Sequence, residues 1–121
     1  MTESKLKLIY VDDEHINLLL FEKMFKNDFI VHTESSALSA LEYIKQNEID
    51  LVVTDQIMPV MTGLEFLAEL QKIMPDNQIK RVMVSGYSPE EAVNEALENN
   101  LLHAFVSKPW RYQSLKDILL S

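Results

Sequence analysis

The sequence has no cysteine and only 2 glycines in 121 residues. Without cysteine there is no disulfide, no zinc-thiolate site and no thiol nucleophile. Two glycines are too few for the glycine-rich loops that hold nucleotide phosphates. No apolar run approaches the roughly 20 residues that cross a bilayer, and Met1 to Lys7 lack the apolar core of a signal peptide. We therefore predict a cytoplasmic protein that does not enter a membrane.

Basic residues are scarce as well. There are 11 Lys and Arg against 19 Asp and Glu, which is a formal net charge of -8. Nucleic-acid binding needs a basic face that neutralises phosphates, so we expect no direct nucleic-acid binding by this chain. A hydrophobic share of 47% and a charged share of 25% are those of an ordinary globular domain. We predict one domain over residues 1–121.

Five strand-like apolar runs alternate with five helix-like patterns. The predicted strands are 6–11, 29–32, 50–55, 79–84 and 102–107, and the predicted helices are 15–26, 37–46, 64–73, 89–99 and 111–120. Short links join them, and no linker or repeat interrupts the alternation. The pattern predicts an α/β fold, with a parallel sheet that helices cover on both faces.

The ends and faces of the helices are also predicted. Ser35 or Ser36 is suited to cap the second helix, and Ser88 before Pro89 is suited to begin the fourth. Trp110 is expected to pack as an anchor for the last helix. In the first helix, helical spacing predicts an apolar face with four members, Ile16, Leu19, Leu20 and Met24.

Polar residues follow four of the predicted strands. Asp12 and Asp13 follow the first, Asp55 ends the third, Ser85 follows the fourth and Lys108 follows the fifth. Since sites in open parallel sheets form outside the carboxyl ends of the strands, these side chains are expected to meet at one rim. Three crowded carboxylates repel each other, and a divalent cation relieves the repulsion. All-oxygen ligands favour Mg²⁺ or Mn²⁺ over zinc.

The same group of residues predicts a reaction. A cation, an amine and a hydroxyl around one carboxylate are suited to stabilise a phosphoryl group during transfer. Asp55 would then be the nucleophile, forming an aspartyl phosphate.

Four motifs stand in order, each at the end of a predicted strand. They are Asp12-Asp13, the segment 55–63 with the pattern D-x-x-M-P-x-x-x-G, Ser85-Gly86 and Lys108-Pro109. Each is weak alone, but together they resemble the response-regulator receiver domains of two-component signalling over essentially the whole chain. The resemblance implies a flavodoxin-like, doubly wound sheet of five parallel strands in the order 2-1-3-4-5.

The resemblance also implies the roles of the residues at the rim. Asp55 accepts a phosphoryl group from a sensor histidine kinase or a phosphotransfer protein. Asp13, Asp55 and the backbone carbonyl of Ile57 bind Mg²⁺ or Mn²⁺ directly, and Asp12 assists through water. Lys108 contacts a phosphoryl oxygen.

A switch is implied too. Ser85 moves to hydrogen-bond the phosphoryl group, and Phe105 follows it inward. The surface of the fourth helix, fifth strand and fifth helix then changes, which allows a homodimer to form on phosphorylation. The kinase is expected to dock beside the first helix, through Ile16, Asn17 and Leu20. Such a domain assists its own phosphorylation and dephosphorylation and is not an enzyme with an external substrate.

Three other functions remain open at this point. A phosphoesterase would need a second general acid, which the sequence does not offer near Asp55. An interaction module that is not phosphorylated would have lost part of the acidic set. An FMN-binding protein would place an anionic cofactor against carboxylates. The chain is expected to be either a stand-alone receiver or part of a longer regulator.

Overall fold

The computed structural model describes residues 5–86 and 90–121. Within these ranges ten elements alternate in chain order: β1 (Lys7–Val11), α1 (His15–Phe25), β2 (Ile30–Glu34), α2 (Ala37–Gln46), β3 (Leu51–Thr54), α3 (Gly63–Ile73), β4 (Lys80–Ser85), α4 (Glu90–Glu98), β5 (Ala104–Ser107) and α5 (Tyr112–Leu120). The predicted alternation is confirmed. Ser36 caps α2 by accepting a hydrogen bond from the Ser39 amide, whereas the predicted start at Ser88 and Pro89 lies outside the described residues.

The five strands form one parallel sheet in the order β2-β1-β3-β4-β5, as predicted. Its register sets the position of the polar rim. Val11 of β1 lies beside Thr54 of β3, so the residues that follow them, Asp12 and Asp55, leave the sheet side by side. The Asp55 amide still bonds the Val11 carbonyl at 3.0 Å.

Helices cover both faces of the sheet. Strand residues alternate between the faces, so Ile9 packs in the core on the side of α2, α3 and α4, while Leu8 packs on the side of α1 and α5. The central strand β3 is buried along its whole length. Among the described helices, none combines the length and the apolar character needed to cross a bilayer.

The apolar face predicted for α1 does not pack on the sheet. Its four members all face solvent, with exposed fractions of 69% for Ile16, 59% for Leu19, 54% for Leu20 and 41% for Met24. The helix is apolar almost all round, so helical spacing alone did not distinguish the faces. The buried face holds the two phenylalanines, because aromatic rings bury more apolar area per residue than aliphatic chains.

That buried face is an aromatic cluster. Phe21 and Phe25 are fully buried, and Trp110, just before α5, lies with its ring centroid 6.1 Å and 5.8 Å from theirs. Trp110 therefore packs as the predicted anchor between α5 and α1.

A buried arginine, Arg81, lies near the amino end of β4 and contacts the loop before β5. Arg81 of β4 is 6% exposed. Its guanidinium donates to the carbonyls of Asn100 at 2.7 Å, Leu101 at 2.8 Å and Ile79 at 2.9 Å. Burial lowers its pKa from the usual value. These bonds tie the α4–β5 loop to the sheet and so help to set where β5 runs.

Candidate functional site

Three carboxylates meet at the carboxyl edge of the sheet. Asp12, Asp13 and Asp55 each offer one oxygen, and these oxygens lie within 4.8 Å of one another. Asp12 is fully buried and Asp55 is 8% exposed, whereas Asp13 is exposed. The grouping follows from the alignment of β1 with β3.

Asp12 is held by three hydrogen-bond donors and by one ion pair. Its Oδ2 accepts from the Tyr10 hydroxyl at 2.7 Å and from the Asn17 amide at 3.1 Å, and it lies 3.6 Å from Lys108 Nζ. Its Oδ1 accepts from the Glu14 backbone amide at 3.0 Å. A carboxylate without solvent contact requires such partners. These partners fix the orientation of the Asp12 carboxylate. Asp13 is the acid of the three that is open to solvent.

Tyr10 is a contributor that the sequence interpretation missed. The side chain is 2% exposed and its ring stacks on Phe21, with centroids 4.1 Å apart and planes 6° from parallel. Burial, and secondarily the charge of Asp12, raises the pKa of the phenol above its usual value, so it remains a donor. The signal was present: residues two apart in a strand share a face, so Tyr10 and Asp12 were neighbours by spacing.

Lys108 lies between two of the acids. Its Nζ is 3.3 Å from Asp55 Oδ2 and 3.6 Å from Asp12 Oδ2. Its backbone amide donates to the Ser85 carbonyl at 3.0 Å, which anchors the end of β5 to the end of β4. One fixed positive charge thus faces the oxygen that Asp55 turns toward the rim.

Asp55 itself is fixed in one orientation. Its Oδ1 accepts from the Gln56 amide at 2.7 Å, while Oδ2 faces Lys108. Its backbone carbonyl accepts from the Thr54 hydroxyl at 2.8 Å. Both carboxylate oxygens therefore have defined directions before any ligand arrives, which is the preorganisation that charge-stabilising sites need.

The glycine that ends the 55–63 motif, Gly63, is required by a close contact between α3 and β3. Gly63, the first residue of α3, lies so close to the third strand that a Cβ there would stand 2.3 Å from the Asp55 carbonyl oxygen and 2.9 Å from Met83 Cε. Sequence reasoning treated Gly63 as part of a motif. The structure supplies the physical reason, which is the close approach of α3 to the strand that carries Asp55.

The other predicted site residues lie on or next to β4, on β5 and in the loop after Asp55. Ser85 is 2% exposed at the end of β4. Ile57 lies in the 56–63 loop with its side chain 53% exposed. Phe105 is half-buried on β5, beside Met83 in the sheet, and packs against the core on the α2, α3 and α4 side. Among the described residues, none has an atom within 4 Å of the place where a Cβ on Gly86 would stand.

Val60 is a strained residue within the same loop. Its φ is 72°, a left-handed conformation that β-branched residues rarely adopt. The Met61 amide bonds the Pro59 carbonyl at 2.7 Å around it, which closes a tight three-residue turn. Val60 is 91% exposed, so no packing offsets the strain.

We expect Val60→Gly to stabilise the protein. Relief of the strain is worth about 1–3 kcal/mol, while the greater freedom of glycine in the unfolded chain costs about 0.5–1 kcal/mol, so the net gain is about 1 kcal/mol. Thermal unfolding measures it. Val60→Ala keeps the Cβ and should gain less, and a Val60→Gly protein that melts below the wild type would contradict the strain.

The donor set fits a hard divalent cation. The three acids supply only oxygen, the ligand type that Mg²⁺ and Mn²⁺ prefer. Asp13 opens to solvent, which suits a cation that keeps several of its waters. The residues therefore fit the metal that the sequence predicted at this rim.

Known proteins similar to this chain are response regulators and related signalling proteins. The family model of the response regulator receiver domain matches residues 8–120. The hydrogenase transcriptional regulatory protein HoxA of Cupriavidus necator is 29% identical over 117 residues, covering 97% of this chain and 24% of that protein. The sporulation initiation phosphotransferase F of Bacillus subtilis is 29% identical over 112 residues, covering 92% of this chain and 88% of that protein.

The chain spans about a quarter of the length of HoxA, and 11% of that of the sensor kinase CckA of Brucella abortus, to which it is 33% identical over 110 residues, 89% of this chain. A solved structure from Methanospirillum hungatei, a CheY-like response regulator receiver domain protein, superposes with a TM-score of 0.87 at 25% identity. That match covers 97% of this chain and 92% of the other.

Proposed function

The chain belongs to the response-regulator receiver domain family of two-component systems, and on that premise we propose that Asp55 is its phosphoacceptor. The observation that carries the proposal is the placement of Lys108 Nζ 3.3 Å from Asp55 Oδ2, within the group of three acids. We extend the proposal to residues 1–121 as one receiver domain in the cytoplasm, acting alone or as part of a longer regulator.

The reaction is a transfer between two side chains. A carboxylate oxygen of Asp55 attacks the phosphorus of a phosphohistidine on a sensor kinase or phosphotransfer protein. The P–N bond breaks, and the imidazole nitrogen leaves with the electron pair and takes up a proton. Lys108 faces the negative charge that the phosphoryl oxygens carry. Attack by water later releases phosphate and restores the carboxylate.

A divalent cation completes the site in this proposal. Asp13, Asp55 and the Ile57 carbonyl would hold Mg²⁺ or Mn²⁺, with Asp12 linked through water. When bound, the cation neutralises the charge of the acids and of the phosphoryl oxygens. Support comes from the all-oxygen donors within 4.8 Å of one another. Asp12 already accepts three hydrogen bonds and lies beside the Lys108 ammonium, so it suits the outer role.

Phosphorylation would act through the neighbouring strands. Ser85 ends β4 beside Lys108, and Phe105 is only half-buried on β5. We propose that the aromatic ring moves from this half-buried position to a more buried one. A phosphoryl group that draws Ser85 toward it would favour the buried position. The face formed by α4, β5 and α5 is thus the proposed output surface. We propose that a homodimer forms through it on phosphorylation.

The kinase is proposed to dock on α1. The exposed apolar residues Ile16, Leu19 and Leu20 lie on this helix, which begins three residues after Asp12. Scattered apolar residues on a surface are ordinary, but a contiguous group indicates a protein contact. A helical hairpin placed there would bring its phosphohistidine over the acidic rim.

Incubation with acetyl phosphate tests the proposal. With Mg²⁺ present, we expect one phosphoryl adduct by intact mass, because the cation offsets the repulsion between the donor and three acids. With a chelator, or in Asp13→Asn, we expect the rate of adduct formation to fall by at least about a hundredfold.

A wild-type protein without any adduct would contradict the proposal, as would equal rates with Mg²⁺ and with the chelator. Repeated release of phosphate from a simple phosphoester would instead support the phosphoesterase alternative.

A further inference from the structure

Gln56, directly after the phosphoacceptor, caps a helix that starts seven residues later. Its backbone carbonyl accepts from the Gly63 amide at 2.9 Å, and its side-chain Oε1 accepts from the Leu64 amide at 2.9 Å. Gln56 is 7% exposed. A buried apolar residue would fill the same space but would offer no acceptor to Leu64.

The first turn of α3 depends on this residue. The opening amides of a helix have no partner within the helix. In α3 those of Gly63 and Leu64 bond Gln56, while that of Glu65 bonds the Thr62 hydroxyl at 3.2 Å, within a capping box. Gln56 thus satisfies two of these three donors and Thr62 satisfies one.

The same residue also contacts Asp55. Its backbone amide donates to Asp55 Oδ1 at 2.7 Å, so one residue joins the carboxylate to the start of α3. The loop between the two ends of this link, residues 57–62, contains the strained turn at Val60. A loop with internal strain keeps its shape only where its ends are held.

We propose that Gln56 is a positioning residue for the metal and phosphoryl site. Its side chain closes the 56–63 loop onto α3, which fixes both the orientation of Asp55 and the position of the Ile57 carbonyl. The inference rests on the proposed function, since it concerns the metal site assigned there. It adds a residue that acts through the loop and touches neither the metal nor the phosphoryl group.

Three variants test this role. Gln56→Met keeps the length of the side chain and removes the acceptor, Gln56→Glu keeps an acceptor, and Thr62→Ala removes the other cap of the same helix turn. Calorimetry gives the Mg²⁺ dissociation constant. Amide hydrogen exchange without metal reports the bond to Leu64, and thermal unfolding reports stability.

We expect Gln56→Met to weaken Mg²⁺ binding about tenfold, as removal of outer supports of metal sites does, and to speed exchange of the Leu64 amide. Gln56→Glu should restore protection of Leu64 and bind Mg²⁺ at least as tightly as the wild type. Thr62→Ala should lower stability to a similar extent while leaving the Mg²⁺ dissociation constant within about twofold.

Wild-type Mg²⁺ affinity in Gln56→Met would overturn the inference, and so would an equal loss of affinity in Thr62→Ala, since that would trace the effect to helix stability. If Gln56→Met does not fold, Gln56→Asn, one methylene shorter, is measured in the same way with the same criteria. A wild type that binds no Mg²⁺ would refute the proposed function instead, and Leu64 exchange would still report the bond.

Discussion

Asp55→Asn is expected to abolish phosphorylation of this protein completely. Asparagine keeps an oxygen that can accept from the Gln56 amide, so the loop should stay in place. It has no anionic oxygen to attack phosphorus, and it removes the charge that Lys108 faces at 3.3 Å. Intact mass after incubation with acetyl phosphate and Mg²⁺ should show only the unmodified protein.

The chain offers a matched control on the same strand. Asp50 stands just before β3, at the end opposite to Asp55, and its carboxylate accepts from the Lys7 amide at 2.8 Å. Asp50→Asn makes the same chemical change far from Lys108 and should be phosphorylated like the wild type. An adduct on Asp55→Asn equal to that on Asp50→Asn would show that another residue is the acceptor.

Gly63→Ala is expected to have the largest effect on stability. The new methyl would stand 2.3 Å from the Asp55 carbonyl oxygen, which is backbone and has no rotamer by which to escape, and 2.9 Å from Met83 Cε. The start of α3 must then move away from β3. Overpacking of this kind costs about 2–3 kcal/mol, and thermal or urea unfolding measures the loss.

Gly63→Ala should lower the rate of phosphorylation as well as the stability. Movement of α3 strains the bond from the Gly63 amide to the Gln56 carbonyl and so disturbs the residue that orients Asp55. We expect slower adduct formation with acetyl phosphate even at temperatures where the variant is fully folded.

Gly86→Ala is the natural comparison, because the protein has only 2 glycines. A Cβ at Gly86 meets no atom of residues 5–86 and 90–121 within 4 Å, and the φ of Gly86 is not positive. We expect unfolding within about 0.5 kcal/mol of the wild type, as for most surface changes. Similar losses in both variants would mean that close approach at Gly63 does not explain its presence.

Local patterns predicted the elements but not which faces they bury. Apolar runs and turn residues placed all five strands and all five helices within a few residues of their ends in the described chain. For α1 the pattern did not indicate which side is buried, since spacing alone cannot rank Ile16 and Leu20 against Phe21 and Phe25. The buried side of α1 is set by packing, because the sheet accommodates the aromatic rings between α1 and α5.

The principal acids could be predicted because parallel topology places every strand end at one edge. Their supporting residues could not. Tyr10 looked like an ordinary core residue of a strand, and Gln56 looked like an ordinary loop residue. Tyr10 donates to Asp12 at 2.7 Å, and the Gln56 side chain accepts from the Leu64 amide at 2.9 Å. Strand spacing places Tyr10 and Asp12 on one face, but whether either bond forms depends on distances that only the folded structure sets.

Hydrophobic periodicity and strand ends are local properties, and they were enough to predict an α/β sheet with Asp12, Asp13, Asp55 and Lys108 at its carboxyl edge. How those residues are held follows only from the packing of the folded chain. The register of β1 against β3 brings the acids within 4.8 Å of one another, and the approach of α3 to β3 leaves no room for a side chain at Gly63. These are distances between segments remote along the chain, which arise only when the helices pack on the sheet.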